Sequence, residues 1–212
     1  DKEQIGEFRV KQLSAPVGID ATPVVTHRFK YFEKDPKSQT HFQGHTKVRD
    51  AYNNKTEYFY DFNRRLTRVE LFNEDGSLHS KEHFVWGDEG NLLNHYLADA
   101  TGHIHAAKCL KYDESGNVIR ESFFGNLTGK SLPIKLSPDK TKAVHNGCDV
   151  WETQFVYSDD AKNLLVEEIL PTGRVVKYRY HPTKDLLTQK FVVHHGTICA
   201  RTFYSYDNDA VE

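Results

Sequence analysis

Large apolar side chains recur in pairs two positions apart along most of the chain, and a short polar segment follows each pair. The clearest pairs are Tyr58/Tyr60, Phe84/Trp86, Leu110/Tyr112, Phe155/Tyr157, Tyr178/Tyr180 and Tyr204/Tyr206. Side chains two positions apart on a strand point to the same face of a sheet. Each pair therefore predicts the end of a strand, and we name its second member the pre-turn aromatic residue. In the first three pairs this residue recurs every 26 residues, a spacing typical of a repeat array.

The segment after Tyr112 predicts a tight β-turn. It reads Asp-Glu-Ser-Gly-Asn, and Val118 then begins a second apolar run. Gly116 can adopt the positive φ angle that such turns need, and the Asp113 side chain can bond its own backbone. A second set of turns lies between successive pairs, at Asp75-Gly76, Thr101-Gly102, Thr128-Gly129, Thr172-Gly173 and His195-Gly196. Both ends of each predicted hairpin therefore carry turn residues.

The repeat spacing divides the chain into four segments. Residues 1–24 are broken by Pro16 and Pro23 and are predicted to be a lead-in or capping segment. Residues 25–129 are the first hairpin array, residues 130–150 an inserted loop that interrupts the period, and residues 151–212 the second array. The last repeat stops soon after its turn, so we expect the parent protein to continue. The predicted fold is all-β, with about seven antiparallel hairpins that form a curved sheet or a partial β-shell.

The segment Tyr112-Asp-Glu-Ser-Gly-Asn-Val-Ile119 resembles the tyrosine-aspartate (YD) repeat of the Rhs family, whose core reads Tyr-x-Tyr-Asp-x-x-Gly-Arg/Asn-Leu. Related copies read Tyr58-Phe-Tyr-Asp-Phe-Asn-Arg-Arg-Leu66 and Phe84-Val-Trp-Gly-Asp-Glu-Gly-Asn-Leu92. The Asp of the motif is replaced by Gly87, Ser158 and His181 in three copies. The residues assigned to the repeat turns are Tyr60, Asp61, Trp86, Gly90, Tyr112, Asp113, Gly116, Tyr157, Tyr180, Tyr206 and Asp207. The Gly-turn hairpin repeat of the MORN proteins is an alternative, but the paired aromatic residues favour the YD repeat.

In Rhs proteins, insecticidal toxin-complex subunits and teneurins, such repeats wind into a hollow β-shell. In the bacterial proteins the shell encloses a toxic C-terminal domain. The resemblance implies that this chain is a non-catalytic wall segment for encapsulation or display in a secreted or cell-surface, toxin-like protein. It further implies that the partner is the remainder of a larger parent chain, or the domain which that chain encloses.

Composition narrows the range of functions. The formal net charge is -2, so a basic field that would attract nucleic acid is absent. A hydrophobic fraction of 38% with 12% aromatic residues suits thin sheets that have at least one wetted face. Cys109, Cys148 and Cys199 lack the spacing of a zinc or redox motif. The sequence has no apolar run of membrane-spanning length, and because it contains no methionine we expect a processed segment.

Candidate chemistry is sparse. The pair His103-x-His105 would share a strand face, but it has no carboxylate or thiolate at ligand spacing, so no metal and no cofactor are predicted. The sequence has no recognisable nucleophile motif, and no catalytic residue is predicted. The alternative function is a carbohydrate- or protein-binding, adhesin-like module. Its predicted ligand platform consists of the aromatic residues Tyr58, Trp86 and Tyr96.

Overall fold

The computed structural model describes residues 9–16, 22–33, 44–129, 133–144 and 147–207. The predicted first turn around Pro36 lies outside these residues, as do parts of the lead-in segment and the last five positions. The chain divides into two compact units, Asp1–His105 and Ala106–Glu212. The predicted borders at residues 24, 129 and 150 describe the sequence repeats, and they stay a prediction.

The first unit is a succession of antiparallel strands that pair in chain order. The strands are β1 (Gln12–Ala15), β2 (Val24–Glu33), β3 (Gly44–Asp50), β4 (Lys55–Tyr60), β5 (Leu66–Phe72), β6 (Leu78–Trp86) and β7 (Leu92–Asp99). Chain-order pairing is the topology expected when each strand is joined to the next by a short turn.

The second unit continues this plan with one interruption. Its strands are β8 (Ile104–Tyr112), which starts at the end of the first unit, β9 (Val118–Gly125), β10 (Lys135–Leu136), β11 (Ala143–Val144), β12 (Asp149–Tyr157), β13 (Leu165–Ile169), β14 (Val175–Tyr180), β15 (Leu187–His194) and β16 (Thr197–Phe203). Strand β9 pairs directly with β12, and β10 pairs only with β11 among the described strands. Every regular element in the described part of the chain is a β-strand. The predicted all-β array of antiparallel hairpins is therefore confirmed.

A β-bulge sits beside the turn in most hairpins; the extra residue lies on the return strand, and the pre-turn aromatic residue faces it. The pairing register slips by one residue at Tyr60, Trp86, Tyr112, Tyr157 and Tyr180. After the slip, Tyr60 faces Leu66 and Trp86 faces Leu92. Turns that place one residue in the left-handed region commonly produce such a bulge, because the extra residue on one strand has no partner on the other.

The core is thin. The buried apolar residues are Val69, Tyr96 and Ala98 in the first unit, and Ala107, Phe124, Ile134, Cys148, Val176 and Phe191 in the second. Most other strand side chains are half-buried, on both faces of the strands. Stability must therefore come largely from contacts between neighbouring strands and not from a deep hydrophobic interior.

The inserted segment folds onto the second unit. Ile134 and Cys148 within it are buried, and the backbone N–H of Ala143 donates to Cys109 Sγ in β8 at 3.1 Å. Asp149 Oδ2 accepts hydrogen bonds from the backbone N–H and the hydroxyl of Thr128, at 2.6 and 2.7 Å. One carboxylate thus joins the two ends of the insertion.

Candidate functional site

The turn after Tyr112 shows how the predicted Asp and Gly are used. The backbone N–H of Asp113 bonds the carbonyl of Asn117 at 3.0 Å, and Gly116, with φ +84°, returns a bond to the Asp113 carbonyl at 3.2 Å. Asp113 Oδ1 accepts the N–H groups of Ser115 and Asn117, both at 2.9 Å. The hydrogen bond from the Asn117 side-chain amide is the main cause that lowers the pKa of Asp113. The turn therefore favours an ionised aspartate.

Asp61 caps its own turn in the same way, although the motif glycine is replaced there. Its Oδ1 accepts the N–H groups of Asn63 and Arg65, both at 2.9 Å. Arg64 takes the left-handed conformation at φ +61° that Gly116 takes in the other copy. The Asp-centred hydrogen bonds hold that conformation despite the side chain.

The same capped turn also occurs at the other ends of the hairpins, where the sequence had indicated only Gly. Asp99 Oδ1 accepts the N–H of Thr101 at 2.8 Å, the Thr101 hydroxyl at 2.6 Å and the N–H of His103 at 3.0 Å. The Thr101 hydroxyl is the main cause that lowers the pKa of Asp99. Asp50 caps a turn through Asn53 that sequence reasoning missed. The spacing Asp-x-x-Gly or Asp-x-x-Asn was the available signal.

The copies that lack the motif Asp keep the turn by other means. Ser158 Oγ accepts the N–H of Leu164 at 2.9 Å, and His181 Nδ1 accepts the N–H of Thr183 at 3.3 Å. Gly87 makes the same pair of backbone bonds as the capped turns, and Gly90 takes φ +87°. A backbone bond across the turn and one residue in the left-handed region recur, because Ser158 N–H bonds the Leu164 carbonyl and His181 N–H bonds the Leu186 carbonyl, with Asn163 and Asp185 at positive φ. These two turns are longer than the Asp-capped ones, so both the turn length and the side-chain cap vary between repeats.

The pre-turn aromatic residues connect each hairpin to the one before it. In four repeats the polar atom of the ring donates to a backbone carbonyl of the preceding hairpin. The bonds are Trp86 Nε1 to Leu66 at 2.8 Å, Tyr157 to Val118 at 3.1 Å, Tyr180 to Leu165 at 2.8 Å and Tyr206 to Leu187 at 2.9 Å. Each acceptor is the first residue of the return strand in the preceding repeat. Burial raises the pKa of Tyr157 and Tyr180, so these hydroxyls remain protonated donors.

The remaining predicted turn residues lie at the positions that the motif assigned to them. Tyr60 and Tyr112 end β4 and β8 at the bulges. Burial raises the pKa of Tyr60, and a hydrogen bond with Thr46 acts in the opposite direction. Asp207 is exposed and is the last residue that the structure describes.

Cationic side chains add a second connection between neighbouring turns. Arg65 Nε contacts Asp61 Oδ2 at 2.8 Å within its own turn, and Arg65 Nη1 donates to the carbonyl of Gly87 in the next repeat at 3.2 Å. In the second unit Lys162 Nζ donates to the carbonyl of Pro182 at 2.8 Å and also pairs with Asp185. In both units, a cationic side chain of one turn therefore donates to a backbone carbonyl of the turn in the next repeat.

A row of rings crosses the first unit. Directly opposed positions on β2 to β7 carry Phe32, His45, Phe59, Arg68, His83 and Tyr96. Ring centroids lie 4.3 Å apart for Phe32 and His45, and 4.6 Å apart for His83 and Tyr96. The Arg68 guanidinium carbon lies 4.0 Å from the Phe59 centroid. The rings therefore stack on one another, and this stacking stabilises a thin sheet.

The three residues of the predicted ligand platform do not share one surface. Tyr96 is only 5% exposed, and its ring stacks on His83. Tyr96 is directly opposite His83, which is opposite Arg68, and Arg68 is opposite Phe59, so Tyr96 and Phe59 lie on the same face. Tyr58 is next to Phe59 on β4 and therefore lies on the other face. Trp86 uses its indole N–H for the bond to Leu66. The exposed aromatic side chains lie elsewhere, and Trp151 is among them at 57%.

His103 and His105 lie together, with ring centroids 4.8 Å apart, and His105 Nε2 contacts Asp99 Oδ2 at 3.1 Å. Among the described residues no group of three or more His, Cys, Asp or Glu side chains is arranged to hold a metal ion. Within the same residues, no helix has the length and apolar character needed to cross a membrane.

Comparison with known proteins gives distant structural similarities. No protein-family model and no curated protein sequence matches the chain. The crystal structure of TcdB2-TccC3-Cdc42 is similar at 11% identity with a TM-score of 0.42, over 87% of this chain and 11% of that chain. That of TcdB2-TccC3-TEV is similar at 11% identity with a TM-score of 0.41, over 85% of this chain and 11% of that chain. A porin-like protein from Bacteroides uniformis ATCC 8492 is similar at 10% identity with a TM-score of 0.42, over 89% of this chain and 79% of that chain.

The chain spans about a tenth of the length of the TcdB2-TccC3 chains that it matches. In its repeat motifs and its succession of antiparallel hairpins, the chain resembles the YD repeats of the Rhs family. The aromatic and Asp residues that carry this resemblance form the capped turns and the connections between hairpins described above.

Proposed function

We propose that the chain is a non-catalytic structural segment, part of the wall of a YD-repeat shell. The hydrogen bonds from the pre-turn aromatic residues to the preceding hairpins are the observation that carries this proposal. A hairpin alone cannot bury its own faces, so a wall needs each repeat to be tied to the next. The residues that define the repeat motif make these ties.

The environment of the side chains also supports a wall. In β3 and β4 every side chain is half-buried, whichever face of the strand it occupies. Ion pairs cross the strands, such as Lys47 Nζ to Glu57 Oε1 at 3.0 Å and Lys177 Nζ to Glu167 Oε2 at 2.8 Å. A wall between two aqueous spaces needs faces of this mixed character, whereas one side of a sandwich sheet is apolar.

The wall would belong to a larger secreted or cell-surface protein, and its partner would be the rest of that chain or a domain enclosed by it. This part of the proposal rests on the YD-repeat resemblance. Encapsulation and display both require the wall to stay folded, because it has to hold the enclosed or displayed domain of the same protein in place.

The test uses the natural gene product that carries this sequence. Limited proteolysis should leave an adjoining domain intact, and a variant that weakens the wall, such as the double substitution Tyr157→Phe and Tyr180→Phe, should expose that domain to cleavage. A gene product that contains no further domain, or whose further domain is cleaved equally fast with the wall intact, would contradict encapsulation. A further domain that is folded but is cleaved equally fast in the wild-type protein and in the double variant would instead support display.

The adhesin-like alternative has a specific observation in its favour, although not at the residues predicted for it. Trp151 and Phe123 expose aromatic surface on the second unit. Binding at that surface is compatible with a wall, because one face of a wall segment can carry a ligand site.

A further inference from the structure

Two aromatic side chains face solvent from directly opposed positions on neighbouring strands. Trp151 on β12 is 57% exposed, and its partner across the strands, Phe123 on β9, is 37% exposed. Exposing an indole forgoes much of the stabilisation that burial of a large apolar side chain contributes. This exposure is therefore a feature that the fold alone does not explain.

The repeat pattern itself does not require a tryptophan at this position. Trp151 stands six residues before the pre-turn aromatic Tyr157. The residues six before the other pre-turn aromatic positions are small or polar: Asn54, Ser80, Ala106, Arg174 and Ala200. In the first unit the corresponding cross-strand pair is Leu71 opposite Ser80. The aromatic pair is thus specific to the hairpin that follows the insertion.

The opposite face of the same strands is covered by other residues of the chain. Ala107, Phe124 and Val150 are directly opposed on that face, where Ala107 and Phe124 are buried. The insertion also contacts this face, because Ala143 bonds Cys109 in β8. The chain therefore covers one face of β8, β9 and β12 with its own residues and leaves Phe123 and Trp151 on the other.

Polar groups flank the exposed pair. Lys108 is directly opposite Phe123 on β8, and Glu121 lies two positions before Phe123 on the same face of β9. Lys108 Nζ and Glu121 Oε2 are 2.7 Å apart and partly exposed. The surface therefore combines two aromatic rings with one cationic donor and one carboxylate acceptor whose charges compensate. The Asp149 carboxylate lies two positions before Trp151 on the same face, and it already accepts two hydrogen bonds from Thr128.

We propose that this surface, formed by Lys108, Glu121, Phe123 and Trp151, binds the neutral pyranose rings of a carbohydrate. The electron-rich face of an indole attracts the C–H groups on the apolar side of a sugar ring, as it attracts other positively polarised groups. The ammonium group of Lys108 donates to sugar hydroxyl oxygens, and the carboxylate of Glu121 accepts from sugar hydroxyl groups. Because the two charges compensate, an uncharged sugar is favoured over an acidic one.

A protein partner fits this surface less well. Aromatic residues are common at the centre of protein interfaces, but Lys and Glu are depleted there. Small-ligand sites instead combine apolar contact area with a few placed polar groups, as found here. The carbohydrate proposal goes beyond the wall function, which does not depend on it.

The experiment measures binding of four neutral tetrasaccharides, namely cellotetraose, chitotetraose, maltotetraose and mannotetraose, by calorimetry and by tryptophan fluorescence. We expect at least one to bind and to change the fluorescence, and the dissociation constant to rise at least about tenfold in Trp151→Ala. The matched control is Phe203→Ala, which removes another exposed ring of the second unit and should leave binding unchanged. The variant Glu121→Gln should weaken binding while it leaves the aromatic surface in place.

Three results would overturn the proposal. The first is no binding of any of the four sugars at about 10 mM, where even a weak site would be occupied. The second is binding that persists in Trp151→Ala. The third is concentration-dependent self-association of the wild-type protein that Trp151→Ala abolishes, since the aromatic pair would then be a contact between protein chains. Circular dichroism of each variant verifies that the β-sheet is retained.

Discussion

The hydroxyl of Tyr180 donates to the backbone carbonyl of Leu165 at 2.8 Å, and these two residues belong to successive hairpins. Leu165 is itself the residue that faces the preceding pre-turn aromatic, Tyr157, across the bulge. Leu165 therefore pairs across the strands with one pre-turn aromatic, Tyr157, and accepts a hydrogen bond from the next one, Tyr180. This relationship explains why the four pre-turn residues that make such bonds are tyrosine or tryptophan and not phenylalanine.

Tyr180→Phe should lower the free energy of unfolding by about 1 kcal/mol, the usual net contribution of one hydrogen bond of this kind. The ring and its packing remain, and only the hydroxyl is lost. Urea unfolding followed by circular dichroism measures the change. Tyr52→Phe is the control, because Tyr52 is 86% exposed, and it should change stability by much less. Equal stability of the two variants would show that the hydroxyl of Tyr180 contributes nothing.

Gly116→Ala should destabilise the second unit by roughly 1–2 kcal/mol, because Gly116 has φ +84° and a side chain is strained in the left-handed region. No other atom lies within 4 Å of the position that a new Cβ would take, so the effect isolates the backbone. Ser115→Ala in the same turn is the control. Thermal unfolding compares the two variants, and an unchanged midpoint in Gly116→Ala would contradict the turn geometry.

Stability should fall as the pH falls below about 6.5, and His45 should be one cause. Its ring lies between Phe32 and Phe59, with centroids 4.3 and 5.3 Å away. Burial is the main cause that lowers the pKa of His45 below 6.5, with Lys47 and Arg68 adding to this and Glu57 opposing it. The unfolded chain therefore binds a proton at a higher pH than the folded chain does, and acid favours unfolding.

The substitution His45→Phe keeps the stacked ring and removes the titrating group. The loss of stability between about pH 7.5 and about pH 5.5 should then be smaller than in the wild-type protein. Urea unfolding at the two pH values measures this difference. His79→Gln, which removes an exposed histidine of β6 outside the ring stack, is the matched control. A His45→Phe protein with the wild-type pH dependence would remove His45 as a cause.

Asp149→Ala should release the insertion from the sheet. The Asp149 carboxylate holds the N–H and the hydroxyl of Thr128, so its loss separates the two ends of the inserted segment. Trypsin should then cleave faster after Lys140 and Lys142, and mass spectrometry identifies the cuts. Asp159→Ala removes an exposed carboxylate from a turn of the same unit and serves as the control. Unchanged cleavage in Asp149→Ala would mean that other contacts hold the insertion.

Much of the hairpin plan was predictable because turns are local. Gly116 and Asp113 lie three positions apart, and their conformational preferences act within one turn. At Thr101-Gly102 the turn was predicted but its Asp99 cap was overlooked, and at Asp50 the turn itself was overlooked because it has no Gly and no aromatic pair before it. Asn53 replaces Gly in the Asp50 turn at φ +67°, which Asn tolerates better than most residues.

The connections between hairpins were not predictable in the same way. The partner of Trp86 is a backbone carbonyl, which leaves no trace in the sequence, and it lies 20 residues away. Its identity depends on the one-residue slip of the pairing register, and spacing alone does not reveal that slip. For the same reason the residues proposed as a ligand platform were distributed over two faces. The exposure of Trp151 depended on which face the insertion covers.

Hydrogen exchange measured by mass spectrometry on Tyr180→Phe tests most directly whether the pre-turn aromatic residues couple successive hairpins. The control Thr188→Val loses a hydrogen bond of 3.0 Å from the Thr188 hydroxyl to the Arg179 carbonyl, which lies inside the hairpin of β14 and β15. We predict that Tyr180→Phe raises exchange in β13 as well as in β14, whereas Thr188→Val raises it only in β14 and β15. The same exchange pattern in both variants, with β13 unaffected, would contradict the coupling.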